Sequence, residues 1–245
     1  MREDSRGRGL WPVGLLVLLV LLLGVVGGCG PSDAQGPSTP TASSRHSASS
    51  MSLSVDAVGT AWGNAPTESG QNVVWSMGAM ITNHSVQAAE AVRVEFTAYG
   101  ARGAVVGTGG TLVGQIAASQ RMGVSAILAI TSGPVTRVTA TAAPSSWTST
   151  GARHSMSGEG VQIISQENGN PNDYTVDGAL AGSYSRTYAP VPVYVVCVDA
   201  SGRIVGAGAG EEPVVTEGGE ATAVSVPVYA QAPASCRIYG SPIAP

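Results

Sequence analysis

Val92, Val94 and Phe96 alternate with Arg93, Glu95 and Thr97, so one side of this segment is apolar and the other polar. A period of two is that of a strand buried on one face. From about Met51 onward the chain is built of such Val, Ala and Thr runs punctuated by Gly. Nowhere does a sustained i, i+3, i+4, i+7 apolar stripe appear, which argues for strands and against helices. Ala101-Arg102-Gly103 and Ala200-Ser201-Gly202 are the turns, Gly supplying the left-handed backbone a hairpin requires. Val105-Val106-Gly107 and Ile204-Val205-Gly206 are the strands that return from them. The pattern predicts an all-β chain.

The pattern also occurs twice, at an offset of about 99 to 100 residues. The first copy runs through Val74–Asn83, Val92–Tyr99 and Val105–Gly109, and closes on Pro134–Ala140. The second runs through Thr175–Ser183, Val191–Val198 and Ile204–Gly208, and closes on Ala234–Tyr239. On this alignment Cys197 falls opposite Ala98 and Cys236 opposite Thr136, so a bridge belongs to the second copy alone. The first copy is expected to fill its core with Phe96, Trp75 and Trp147 instead.

The first 50 residues are of another kind. Arg2, Arg6 and Arg8 precede an apolar stretch from Leu10 to Val26, the layout of an export signal. Val26-Gly27-Gly28-Cys29 resembles the lipobox of bacterial lipoproteins, which implies cleavage before Cys29 and a lipid on its thiol. The competing reading is an uncleaved anchor, since the apolar stretch approaches the length that spans a bilayer. Both readings place the rest of the chain on the extracytoplasmic face of the cell membrane. Residues 29–50, rich in Pro, Ser, Thr and Ala, bury too little to offset their ordering entropy and form a tether. With Cys29 assigned to the lipid, Cys197 and Cys236 remain as an even pair in an oxidising compartment and are expected to bridge.

Composition narrows the chemistry. All 12 basic residues are Arg, and 16 acids leave a formal charge of −4, so no basic surface exists to hold a nucleic acid. Residues 51–153 carry five Arg against four acids, and 154–245 three Arg against nine acids. The acidic excess includes Glu211, Glu212, Glu217 and Glu220, expected in a loop or at an edge where charge discourages strand-to-strand association. These glutamates lack the Asp-x-Asp spacing of a calcium loop. His154 and Met156, with Met77, Met80, Met122 and His84 elsewhere, suggest copper(I) ligands only through residue type, without a second closely spaced ligand motif. His46, His84 and His154 stand beside no nucleophile elbow, and Glu95 and Asp199, in different copies, make no carboxylate pair. Asn83-His84-Ser85 matches a glycosylation sequon and reads as a plain turn. Trp62, beside an expected turn at Gly63-Asn64-Ala65-Pro66, is the candidate aromatic anchor for a partner, set against the more common case of a Trp partly buried under its own loop. Glu211 and Glu212 are the candidate polar contacts.

Phe96-Thr97-Ala98-Tyr99-Gly100 and Val195-Val196-Cys197-Val198-Asp199, each followed by a Gly turn and a returning strand, resemble the FxLyD domain of bacterial surface proteins. The first copy keeps the Phe and the aromatic, with Ala98 for Leu and Gly100 for Asp. The second keeps only Asp199. The resemblance implies a small immunoglobulin-like β-sandwich of about 100 residues without catalytic residues. The expected organisation is a lipoprotein signal peptide at 1–28, a tether at 29–50, and two tandem immunoglobulin-like β-sandwich domains at 51–152 and 153–245. Such a chain is expected to act as a non-catalytic binding or spacer module without a cofactor. Its expected partners are the membrane, through its lipid, and an envelope protein or glycan. The alternative is an extracytoplasmic metal carrier or an enzyme that uses loops between strands.

Overall fold

In the computed structural model, residues 51–67, 70–130, 133–149, 156–166, 170–182, 187, 190–212 and 221–243 are described, with backbone only for 64–67, 70–72 and Glu212. The described residues form thirteen successive strands and contain no α-helix. The first half holds β1 (Leu53–Thr67), β2 (Gly70–Asn83), β3 (Ala88–Tyr99), β4 (Val105–Ile116), β5 (Arg121–Ala129), β6 (Arg137–Ala143) and the short β7 (Ser146–Thr148). The second holds β8 (Met156–Ser165), β9 (Asp173–Ala181), β10 (Val191–Val198), β11 (Ile204–Glu212), β12 (Thr222–Ala230) and β13 (Ser235–Gly240). The expected all-β class is what is found.

Sheet order carries the repeat. The first half forms one sheet in the order β1-β2-β5 and another in the order β4-β3-β6, with β7 also on β3. In the second half β8-β9-β12 and β11-β10-β13 are the same two sheets, all ladders antiparallel. The turns repeat as well. Gly100 N–H donates to the Ala104 carbonyl at 2.9 Å and Gly103 N–H to Gly100 at 3.2 Å; Asp199 N–H donates to Arg203 at 2.9 Å and Gly202 N–H to Asp199 at 2.9 Å. Gly103 (φ 76°) and Gly202 (φ 80°) occupy the left-handed region the turn demands. Both hairpins also shift register at the same place, after Ala98 and after Cys197.

The halves then differ. In the second, β11 also pairs with β12 and β13 with β8, so the two sheets close into a six-stranded barrel. In the first, β4 lies beside β5 and β1 beside β6 without a ladder, and the sheets stay separate. Side-chain size differs between the two halves at this seam. Gly206 and Gly208 pair with Ala230 and Val228. Their counterparts Gly107 and Gly109 lie under Ile130 and Leu128, where an added Cβ would come within 3.1 and 2.7 Å of those larger side chains. Ile130 and Leu128 fill the space that the backbone of β12 takes in the barrel.

Each half has its own core. Val92, Val94 and Phe96 are fully buried, with Met77, Ile81, Ile116 and Met122 around them and Trp75 and Trp147 packed alongside. The barrel encloses Met156, Val176, Leu180, Val193, Val195, Cys197, Val226 and Ile238. Met77, Met122 and Met156 are therefore core residues. Between the cores, sheet β1-β2-β5 is covered on both faces. Trp75, Met77, Ala79 and Ile81 point into the first core, while Ser76 and Met80 meet the barrel. Burial on both faces is why Val74–Ile81 reads as a continuous run without alternation. Gly59 permits a close approach of the two backbones, since a Cβ there would strike the Ile204 carbonyl. Residues Ser47–Pro245 form one compact unit.

Candidate functional site

The halves are joined by hydroxyls reaching into each other's backbone. Ser76 Oγ, fully buried, donates to the Tyr229 carbonyl at 2.8 Å and accepts from the Ala207 N–H at 3.3 Å. Ala207 and Tyr229 are themselves ladder partners, so β2 inserts a hydroxyl into the β11–β12 pairing. Ser125 Oγ donates to the Gly208 carbonyl. From the other side, Tyr194 Oη donates to the Leu112 carbonyl at 2.8 Å, and burial pushes its phenol up to about 12, against the opposing hydrogen bond from Thr111. Ser241 Oγ accepts from Gln115 N–H at 3.1 Å and donates to the Gln115 carbonyl at 3.2 Å. A buried polar group left unpaired is costly, so each such pair fixes the relation of the halves.

Of the residues singled out in the sequence, Cys29 lies outside the described residues. Cys197 and Cys236 form a disulfide, directly opposite each other on β10 and β13 with Cα atoms 4.0 Å apart. The position equivalent to Cys236 is Val138, the β6 partner of Ala98, and not Thr136. Thr136 precedes β6 because it is engaged at the turn, its N–H on the Tyr99 carbonyl at 2.8 Å and its Oγ1 on Gly100 at 3.0 Å.

Trp62 is 36% exposed and sits within β1 opposite the buried Trp75. The turn expected at 63–66 is instead strand, continuing to Thr67. Pro66 is tolerated there because β1 is an edge strand, and Gly63 because a side chain would strike the Tyr229 ring. Glu211 is exposed at the end of β11 opposite Pro192, and Glu212 pairs in the ladder with Val191. Glu217, Glu220, His46 and His154 lie outside the described residues. The sequon asparagine is spoken for: Asn83 is fully buried, its Nδ2 donating to Gln87, Ile116 and Ala117 carbonyls at 2.8 to 3.0 Å and its Oδ1 accepting from Ser85 N–H at 2.8 Å.

Two features were not foreseen. A bulge at Val55–Ala57 turns Asp56 outward. Its carboxylate accepts from Ser54 Oγ and Thr82 Oγ1, both at 2.5 Å, and from Arg121 Nε at 3.2 Å. These bonds, Ser54 first, hold its pKa below the ordinary value. His84 Nε2 stands 2.7 Å from Ser54 Oγ. With the Ser54 hydrogen given to Asp56, His84 faces Ser54 as a donor, the reverse of the direction in which a base activates a serine. Among the described residues, no three His, Cys, Asp or Glu side chains come together as a metal site.

The second feature is a groove of about 410 Å³ where the β4–β5 seam meets the barrel. It is lined by Gly109–Thr111 of β4, Ser125–Leu128 of β5 and Ala209 of β11. The only sequence signal for it is the pairing of Gly107 and Gly109 with bulky residues at 128 and 130, visible only once the strands are aligned with the second copy. No protein-family model, curated protein or solved structure matches the chain.

Proposed function

We propose that the chain is a lipoprotein tethered through Cys29 to the extracytoplasmic face of the membrane, carrying two immunoglobulin-like repeats that act as a non-catalytic binding or spacer module. The repeated sheet order, with its repeated turn and bulge, supports the immunoglobulin-like and FxLyD-like reading, the second repeat being closed into a barrel. The observation that carries the module reading is where the buried hydroxyls go. Ser76, Ser125 and Ser241 are each spent on the backbone of the opposite half, which makes the pair a stiff platform. The anchoring rests on the leader and Val26-Gly27-Gly28-Cys29. Metabolic labelling with palmitate tests it: label is expected on the wild-type chain and lost from Cys29→Ser. Label that persists in that variant overturns the anchor.

A further inference from the structure

We infer that the fold is conditional in one direction: the barrel stands by itself, and the first half completes its structure only against it.

The two cores are not equivalent. Among the described residues, the barrel core is made of second-half side chains alone. The first core instead includes Tyr194 of β10, 2% exposed, and has Tyr239 of β13 packed against it. Without the barrel those places would be empty, and an unfilled core site costs both the lost contacts and the cavity. The barrel core loses no such occupant without the first half.

Hydrogen bonding runs the same way. Each of the six barrel strands has a ladder neighbour on both sides. The Cys197–Cys236 disulfide ties β10 to β13 within that ring. In the first half β4 is laddered only to β3, and β5 only to β2. The barrel supplies partners along β4: Tyr194 Oη donates to the Leu112 carbonyl at 2.8 Å, and Ser241 Oγ serves both backbone groups of Gln115 at 3.1 and 3.2 Å. Gly114, between them, lies so close to the Pro242 carbonyl that a Cβ would strike it. In return Ser76 and Ser125 reach β11 and β12. Those two strands hold ladders with each other and with β10 and β9.

Domains are commonly completed from the N-terminal end as a chain is made. Here Tyr194, Tyr239 and Ser241, which complete the first half, all lie C-terminal to it. The first half therefore waits for the second. In the finished molecule it can open while the barrel stays closed, as a unit of lower stability.

Native-state amide exchange on the full chain in detergent, with urea raised below the unfolding transition, reads this. Amides of β3 at 94–98 are expected to exchange through an opening about tenfold or more as populated as the one that frees β10 at 193–197. Two truncations give the direction, each at a buried valine of one core: Val94→Ala and Val226→Ala. Val94→Ala is expected to speed exchange in both halves by about tenfold or more, because barrel unfolding passes through the opening of the first half. Val226→Ala is expected to speed β10 by a similar factor and to leave β3 within about twofold. Rates in both halves that respond to either truncation mean a single unit. Rates that respond only to the truncation in their own half mean two autonomous ones. Each of these outcomes overturns the inference, as does the mirror image, in which Val226→Ala speeds both halves and Val94→Ala only β3. Where Val94→Ala leaves the first half unprotected altogether, protection retained at β10 is the expected result, and its loss overturns the inference.

Discussion

Ser76 on β2, fully buried, donates its hydroxyl hydrogen to the main-chain oxygen of Tyr229 on β12, 2.8 Å away. The same oxygen atom of Ser76 receives the Ala207 N–H, so one side chain serves two backbone groups of the other half. Ser76→Ala leaves both without that partner and is expected to cost about 1 to 3 kcal/mol. Chemical denaturation followed by tryptophan fluorescence checks it. A loss within a few tenths of a kcal/mol would mean that the halves are not fixed through this hydroxyl.

The disulfide offers a comparison internal to the chain. Cys197 and Cys236 are paired across β10 and β13, and the first half places Ala98 and Val138 at the same cross-strand site. The double variant Cys197→Ala with Cys236→Val gives the barrel the first half's solution. The fold is expected to survive, because the ladder does not need the bond. Closing a loop of 39 residues nonetheless lowers the entropy of the unfolded chain, so stability is expected to fall by about 4 kcal/mol. Thermal unfolding with and without reductant reads this: the wild type should respond to reductant and the variant should not.

How far the sequence led can be judged residue by residue. The alternation at Val92–Thr97 marks β3 correctly because that strand has one buried face, and the Gly turns at 103 and 202 were legible from turn chemistry alone. Val74–Ile81 was legible as strand, but its lack of alternation is a sign of burial on both faces, and nothing local says what covers the second. The inter-half hydroxyls are long-range pairs: Ser76 meets a carbonyl 153 positions away. Gly63-Asn64-Ala65-Pro66 looked like a turn because Gly and Pro usually punctuate; here each is explained by a neighbour, the Tyr229 ring and an open edge. The bulge at Asp56 depends on register, which composition does not carry.

Alkaline pH should loosen the join between the halves. Tyr194 is buried there, and burial raises its phenol from 10.0 to about 12. The folded chain thus holds that proton more tightly than the unfolded one. The resulting stability is complete below about pH 10 and is lost as pH rises toward 12. Burial shifts Tyr229 and Tyr239 in the same direction. Unfolding free energy is expected to drop across this window, about 2 to 3 kcal/mol of it from Tyr194. Tyr194→Phe should flatten the decline. Tyrosinate absorbance appearing with an unshifted midpoint and no loss of stability would contradict this.

The open seam of the first half is expected to be a matter of side-chain volume. Leu128 and Ile130 lie over Gly109 and Gly107, where the barrel has Val228 and Ala230 against Gly208 and Gly206. Leu128→Val with Ile130→Ala removes that bulk while keeping the glycines that let a neighbouring backbone approach. Ile130 is buried, so a cavity cost of about 2 to 5 kcal/mol is expected if nothing moves. New β4–β5 hydrogen bonds recover part of that cost if the seam closes. Amide exchange distinguishes the two: slowed exchange at 107–109 signals closure. Unchanged exchange together with the full cavity cost would show that something other than these two side chains, such as the barrel packed on β5, keeps the strands apart.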